Sequence, residues 1–111
     1  MKQDNDWKIF REKIPLWQEA YMDKLNKEYV ELLNGDGLAS EKFWALEARI
    51  KQDKRSLGVR IEMRKSDLQI DIMTLLHDGV ICLHDLNEFS DGLRETAAAF
   101  AARHGVTESN T

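Results

Sequence analysis

The sequence is poor in the residues that staple, break or arm a protein. Cys82 is the one cysteine among 111 residues, so no internal disulfide can form and the oxidising compartments lose their usual rationale. A single proline and six glycines leave few places where a helix is obliged to stop. No run reaches the roughly 18 apolar residues needed to span a bilayer, and Met1-Lys2-Gln3-Asp4-Asn5-Asp6 lacks the apolar core of a secretory signal. These absences predict a soluble, cytoplasmic chain that does not enter a membrane. There is also no phosphate-cradling glycine loop, nucleophile elbow or paired metal motif, so neither catalysis nor a cofactor is expected.

What the chain does have is helical periodicity. With 42% apolar and 32% charged residues, it has the composition of a folded protein rather than a disordered one. From Trp7 to Leu33 the apolar positions Trp7, Phe10, Ile14, Trp17, Tyr21, Leu25, Tyr29 and Leu32 or Leu33 recur at steps of three and four. Asp4 or Asp6 is the candidate cap. Pro15 falls inside this stretch, but the seam stays in phase from Ile14 to Trp17, which predicts one long, kinked helix ended by Asn34-Gly35-Asp36-Gly37.

Three further helices are expected. Ser40 is the candidate cap of the second, with Phe43, Leu46, Ile50 and Leu57 facing inward. From Val59 to Asp78 the spacing of Ile61, Leu68, Ile72, Leu75 and Leu76 predicts the third, and Met63, Ile70 and Met73 mark a second apolar side on it. The fourth spans about Leu83 to Arg103, with Leu86, Phe89, Leu93, Ala97 and Phe100 inward. The expected fold is therefore an all-α, four-helix bundle-like single domain over residues 1–111, with residues 1–5 and 106–111 frayed.

Several local patterns suggest chemistry, and each fails on its own residues. The doublets His77-Asp78 and His84-Asp85 combine imidazole with carboxylate, but Gly79 breaks the helix between them, and histidines at helix ends are explained by the negative pole there. The run from Asp78 to Asp85 resembles the second half of a calcium-binding EF-hand loop. Its first half places Thr74 and Leu76 where oxygen-rich ligands are required. The run from Thr96 to Glu108 resembles the opening of a helix-turn-helix DNA reader through Phe100, Ala101, Gly105 and Val106, but it stops short of a reading helix, and Asp91 and Glu95 would repel phosphate. Cys82 lacks a basic neighbour in sequence that would activate its thiol.

Two non-catalytic functions remain. Trp44, Met63, Ile70 and Met73, together with the aromatics of the first helix, exceed what one seam needs and suggest a protein-interaction module, expected to self-associate as a homodimer. The alternative uses the charge pattern. Residues 49–65 hold Arg49, Lys51, Lys54, Arg55, Arg60, Arg64 and Lys65 against Asp53 and Glu62, between two acidic segments, and such a belt can neutralise several phosphates of a nucleic acid. No aromatic residue interrupts it to stack a base. A third class, a small-ligand sensor, would need a pocket among Trp7, Trp17 and Tyr21.

Overall fold

A computed structural model describes residues 2–105, with side chains from residue 5 onward. The protein is all-α: helices α1 (Lys2–Asn34), α2 (Ala39–Asp53), α3 (Leu68–His77) and α4 (Asp91–His104) are joined by short 3₁₀ turns at Lys65–Asp67 and Leu83–Leu86. The two candidate stretches at the chain ends divide differently. Residues 2–5 belong to α1, whereas residues 106–111, including Val106 to Glu108 of the helix-turn-helix resemblance, lie outside the described residues.

α1 is continuous across Pro15, because Ile14 and Trp17 on either side of it pack into the same core. Its seam is buried as the spacing requires. Phe10, Ile14 and Leu25 are enclosed, Trp7, Trp17, Tyr21, Tyr29 and Leu32 are half-buried, and of the last pair Leu33 is the one left in solvent. The first half of α1 joins α3, the second 3₁₀ turn and α4 in one cluster containing Phe10, Ile72, Leu75, Leu76, Leu86, Phe89, Leu93 and Ala97. This is the head of the molecule.

The second half of α1 leaves the head and pairs with α2 alone, forming an antiparallel hairpin arm. The radius of gyration is 16.2 Å with extents of 55 × 26 × 18 Å, whereas a compact chain of this length would have a radius near 13 Å. No residue of α2 is buried. The four helices therefore do not share one bundle seam. A hairpin has only one groove to fill, so half of what a bundle helix would bury stays in water.

Three boundaries differ from expectation. α2 begins at Ala39 with Leu38 as its N-cap residue, not Ser40, because the Glu41 carboxylate accepts from the Leu38 N–H at 3.0 Å and starts the helix two residues earlier. The third helix is much shorter than expected, since residues 60–64 are not helical and Arg64, before the turn at Lys65–Asp67, is extended at φ −126° and ψ 127°. Val59, Ile61 and Met63 alternate with Arg60, Glu62 and Arg64, a period of two that belongs to extended chain. The Arg64–Glu62 ion pair at 2.8 Å joins residues two apart, which share a side only when the chain is extended. The fourth helix is also split, after Leu86, by a turn that ends at the Ser90 cap.

The end of α3 is explained by Gly79. It adopts φ 75°, and the Val80 N–H bonds the Leu75 carbonyl at 3.0 Å while the Gly79 N–H bonds that of Leu76 at 3.2 Å. This left-handed closure turns Val80 and Ile81 into the core. The loop after α2 folds back just as closely. Gln18 donates to the Leu57 carbonyl at 3.0 Å, and a Cβ on Gly58 would lie 2.4 Å from the Tyr21 ring and 2.8 Å from Val80. Only a residue without a side chain lets this loop seat where arm meets head.

Candidate protein-interaction surface

The arm is held by polar contacts rather than by a buried core. Arg49 donates to Glu28 at 2.8 Å, lies 3.5 Å from Asp53 and sits over the Tyr29 ring at 5.4 Å. The Tyr29 hydroxyl donates to the same Asp53 carboxylate. The side of α2 toward α1 is thus Lys42, Leu46, Arg49 and Asp53, all half-buried, instead of Phe43, Leu46 and Ile50. The ion-paired cluster sets the rotation of α2, since α1 offers Glu28 and Tyr29 where a bundle would offer aliphatic side chains.

That rotation puts apolar side chains in solvent. Phe43 is 62% and Trp44 63% exposed, with their rings edge-on at 4.9 Å between centroids. Ile50 lies seven residues from Phe43, on the same edge of α2. Going round each helix by 100° per residue from the line of contact places Leu33 of α1 on that same side of the hairpin. Leu38 at the tip and Val30 are exposed as well. Large apolar side chains gathered in this way on one element exceed the scattered exposure that any surface carries.

The four residues singled out by sequence are not one stripe. Trp44 is on the arm, Met63 on the non-helical segment, and Ile70 and Met73 on α3. Ile70 is exposed, while Met73 packs against the core. The helical stripe expected of Met63, Ile70 and Met73 fails because Met63 is not helical. Phe43, expected to face inward, is instead the exposed ring that meets Trp44; the sequence signal for this rotation is the set Lys42, Arg49 and Asp53, whose polar groups match Glu28 and Tyr29 across a short loop.

The basic belt is also divided. Arg49 serves the hairpin and Arg64 pairs with Glu62. Lys51, Lys54, Arg55 and Arg60 are exposed at the root of the arm and beyond it, and Lys65 begins the first 3₁₀ turn. The aromatics proposed to line a pocket instead fill one another's space. Trp7 stacks on Phe10 at 6.1 Å, Phe10 meets Trp17 at 6.2 Å, and Trp17 stacks on Phe89 at 6.2 Å. An open groove of about 620 Å³ lies elsewhere, between the first 3₁₀ turn and the start of α4, next to Lys65, Gln69, Ser90 and Thr96.

Among the described residues four ionisable groups are displaced upward from their ordinary range: burial raises Tyr21 against a hydrogen bond with Ser56, the hydrogen bond to Glu28 raises Arg49, and Tyr29 and Asp71 follow. Burial, followed by the hydrogen bond to Asp53 and its charge, pushes Tyr29 from 10.0 up to about 12. Burial and the nearby Asp67 raise Asp71, whose Oδ2 is enclosed without a hydrogen-bond partner. For Tyr29 the sign is definite: a phenol whose folded pKa exceeds its unfolded one supports the fold below pH 10 and loses that support as pH rises toward 12. An absorbance titration of tyrosinate should therefore resolve a late phase near pH 12, with the Tyr29→Phe variant lacking it. A single phase near pH 10 would mean that the Asp53 contact does not form in solution.

The histidines stand at helix ends. His77 closes α3 beside Asp78 at 3.3 Å, and His104 closes α4 against Phe100 at 4.3 Å between rings. Among the described residues no group of three His, Cys, Asp or Glu side chains is placed to hold a metal ion, and no helix is long and apolar enough to cross a membrane. Cys82 is buried, and its N–H donates to Asp85 at 2.8 Å. The chain matches no protein-family model, no curated protein and no solved structure.

Proposed function

We propose that the protein is a non-catalytic, cytoplasmic interaction module that docks other protein through its hairpin arm. The observation that carries this reading is the arm's imbalance: α2 has no fully buried residue, yet holds Phe43 and Trp44 edge-on in solvent. Aromatic side chains exposed at about three-fifths of their area are costly to leave in water and are enriched where proteins meet. The head supplies a rigid base for the arm through Gly58, Gln18 and Tyr21.

The test compares the wild-type chain with Phe43→Ser/Trp44→Ser as bait in native lysate, with and without nuclease. These side chains support no core, so circular dichroism and thermal stability should stay within about 0.5 kcal/mol of wild type. Protein retained by the wild type and lost from the double variant, whether another copy of the chain or a different protein, supports the reading. Equal retention by both, or none by either, overturns it.

The second reading, nucleic-acid binding, is favoured by the exposure of Lys51, Lys54, Arg55 and Arg60, which enter no ion pair among the described residues. It predicts retention that nuclease abolishes and that weakens steeply with salt. With Arg49 and Arg64 engaged elsewhere, the belt offers fewer cations to phosphate than its sequence suggests.

A further inference from the structure

The charge on the connecting loop and α2 is polarised along the length of the arm. The tip, residues 31–41, holds Glu31, Asp36 and Glu41 and no lysine or arginine. The root, residues 49–55, holds Arg49, Lys51, Lys54 and Arg55 against Asp53. Phe43 follows the tip and Ile50 lies within the root, seven residues apart on one edge of α2. A surface that is acidic at one end, basic at the other and apolar along one edge is complementary to itself when turned end for end.

We infer that the arm's partner is a second copy of this chain, docked antiparallel about a two-fold axis that passes near Leu46 and Glu47. This inference rests on the docking role proposed above and names its occupant. With the axis there, Phe43 packs on the partner's Ile50 and the reverse, and each acidic tip lies beside the other copy's Lys51, Lys54 and Arg55. The two hairpins together make a four-helix bundle, which covers the half of α2 that one chain leaves wet. Area is sufficient. At their exposures Phe43 and Trp44 leave roughly 250 Å² of ring in solvent on each copy, and Leu33, Leu38 and Ile50 bring the pair to about the 1,000 Å² that a specific interface requires. A parallel pair would set tip against tip and root against root, like charge on like charge.

The experiment uses the full-length chain with single cysteines at exposed positions of tip and root, Asp36→Cys and Arg55→Cys; the native Cys82 is buried and common to both. Oxidised together at micromolar concentration, the two variants should form a disulfide-linked pair several times faster than either alone. Equally fast linking by each variant alone overturns the antiparallel arrangement. As a second measure, Glu31→Lys/Asp36→Lys and Lys51→Glu/Lys54→Glu should each self-associate about tenfold more weakly than wild type, and mixing them should restore wild-type affinity. A wild-type chain that sediments as a monomer at about 100 μM, where a Kd of about 10 μM would leave most copies paired, overturns the second-copy inference. In that case aromatic-dependent capture of a different protein leaves the docking role standing, whereas loss of all capture removes both.

Discussion

Replacing Phe10 with alanine is expected to cost about 3–5 kcal/mol of folding stability, the range for removing an enclosed aromatic ring. Phe10 is fully buried and touches both Trp7 and Trp17, so the ring is shared by successive turns of α1 and by the α3 and α4 side of the head. Its loss leaves a cavity that helices fixed on several sides cannot collapse to fill. Since domains of this size are stable by about 5–15 kcal/mol, the variant should melt on the order of 15 °C lower. Tryptophan fluorescence should shift to the red as Trp7 and Trp17 meet water. Leu16→Ala on the same helix is the control: Leu16 is 64% exposed, and its change should stay within about 0.5 kcal/mol. Similar melting temperatures for the two variants would show that α1 does not seat in the head as described.

Asp6→Ala is expected to cost about 2–4 kcal/mol, although the residue is polar and near the chain's beginning. Asp6 is only 3% exposed. One of its carboxylate oxygens accepts from the Ser90 N–H at 2.7 Å and the other from the Ser90 hydroxyl at 2.6 Å, across 84 positions of sequence. Ser90 is itself the N-cap of α4, its Oγ accepting from the Leu93 N–H. The carboxylate thus secures the cap, places negative charge at the positive end of a helix and pins α1 to α4. Alanine leaves the half-buried Ser90 N–H and hydroxyl without the carboxylate that accepts from them. Asp6→Asn retains one acceptor and loses the charge, so chemical denaturation should place it between wild type and alanine. The exposed Asp23→Ala, which breaks only the i,i+4 pair with Lys27, should change stability by under about 0.5 kcal/mol. An Asp6→Ala variant as stable as Asp23→Ala would refute the pin.

Asp6 also marks where sequence reading reaches its limit. An aspartate close to the start of a periodic stretch is a sound candidate to cap that stretch, yet α1 begins at Lys2 and Asp6 holds the cap residue of a helix at the other end of the chain. No local pattern carries that information. The segment after Gly58 is a different case: Val59, Ile61 and Met63 alternate with charged residues, a period of two that the helical spacing of Ile61 and Leu68 masks. In the turn before α4, Ser90 followed by Asp91 is an ordinary start signal. Leu86, Phe89 and Leu93 nevertheless keep helical spacing through the break, and all three are buried even though no single helix joins them.

Spacing of apolar residues was enough to determine that the chain is all-α, that α1 is one long element through Pro15, where Gly37, Gly79 and Gly105 close helices, and which side chains of α1, α3 and α4 enter the core. Each of these follows from the 3.6-residue repeat and from backbone geometry within a few residues. Tertiary structure alone decided that α2 stands outside the head, that Phe43 and Trp44 face solvent, and that the basic belt is divided. The reason is that a helix's rotation is set by what lies across from it: Glu28 and Tyr29 drew Arg49 and Asp53 inward, and the apolar edge had to turn out.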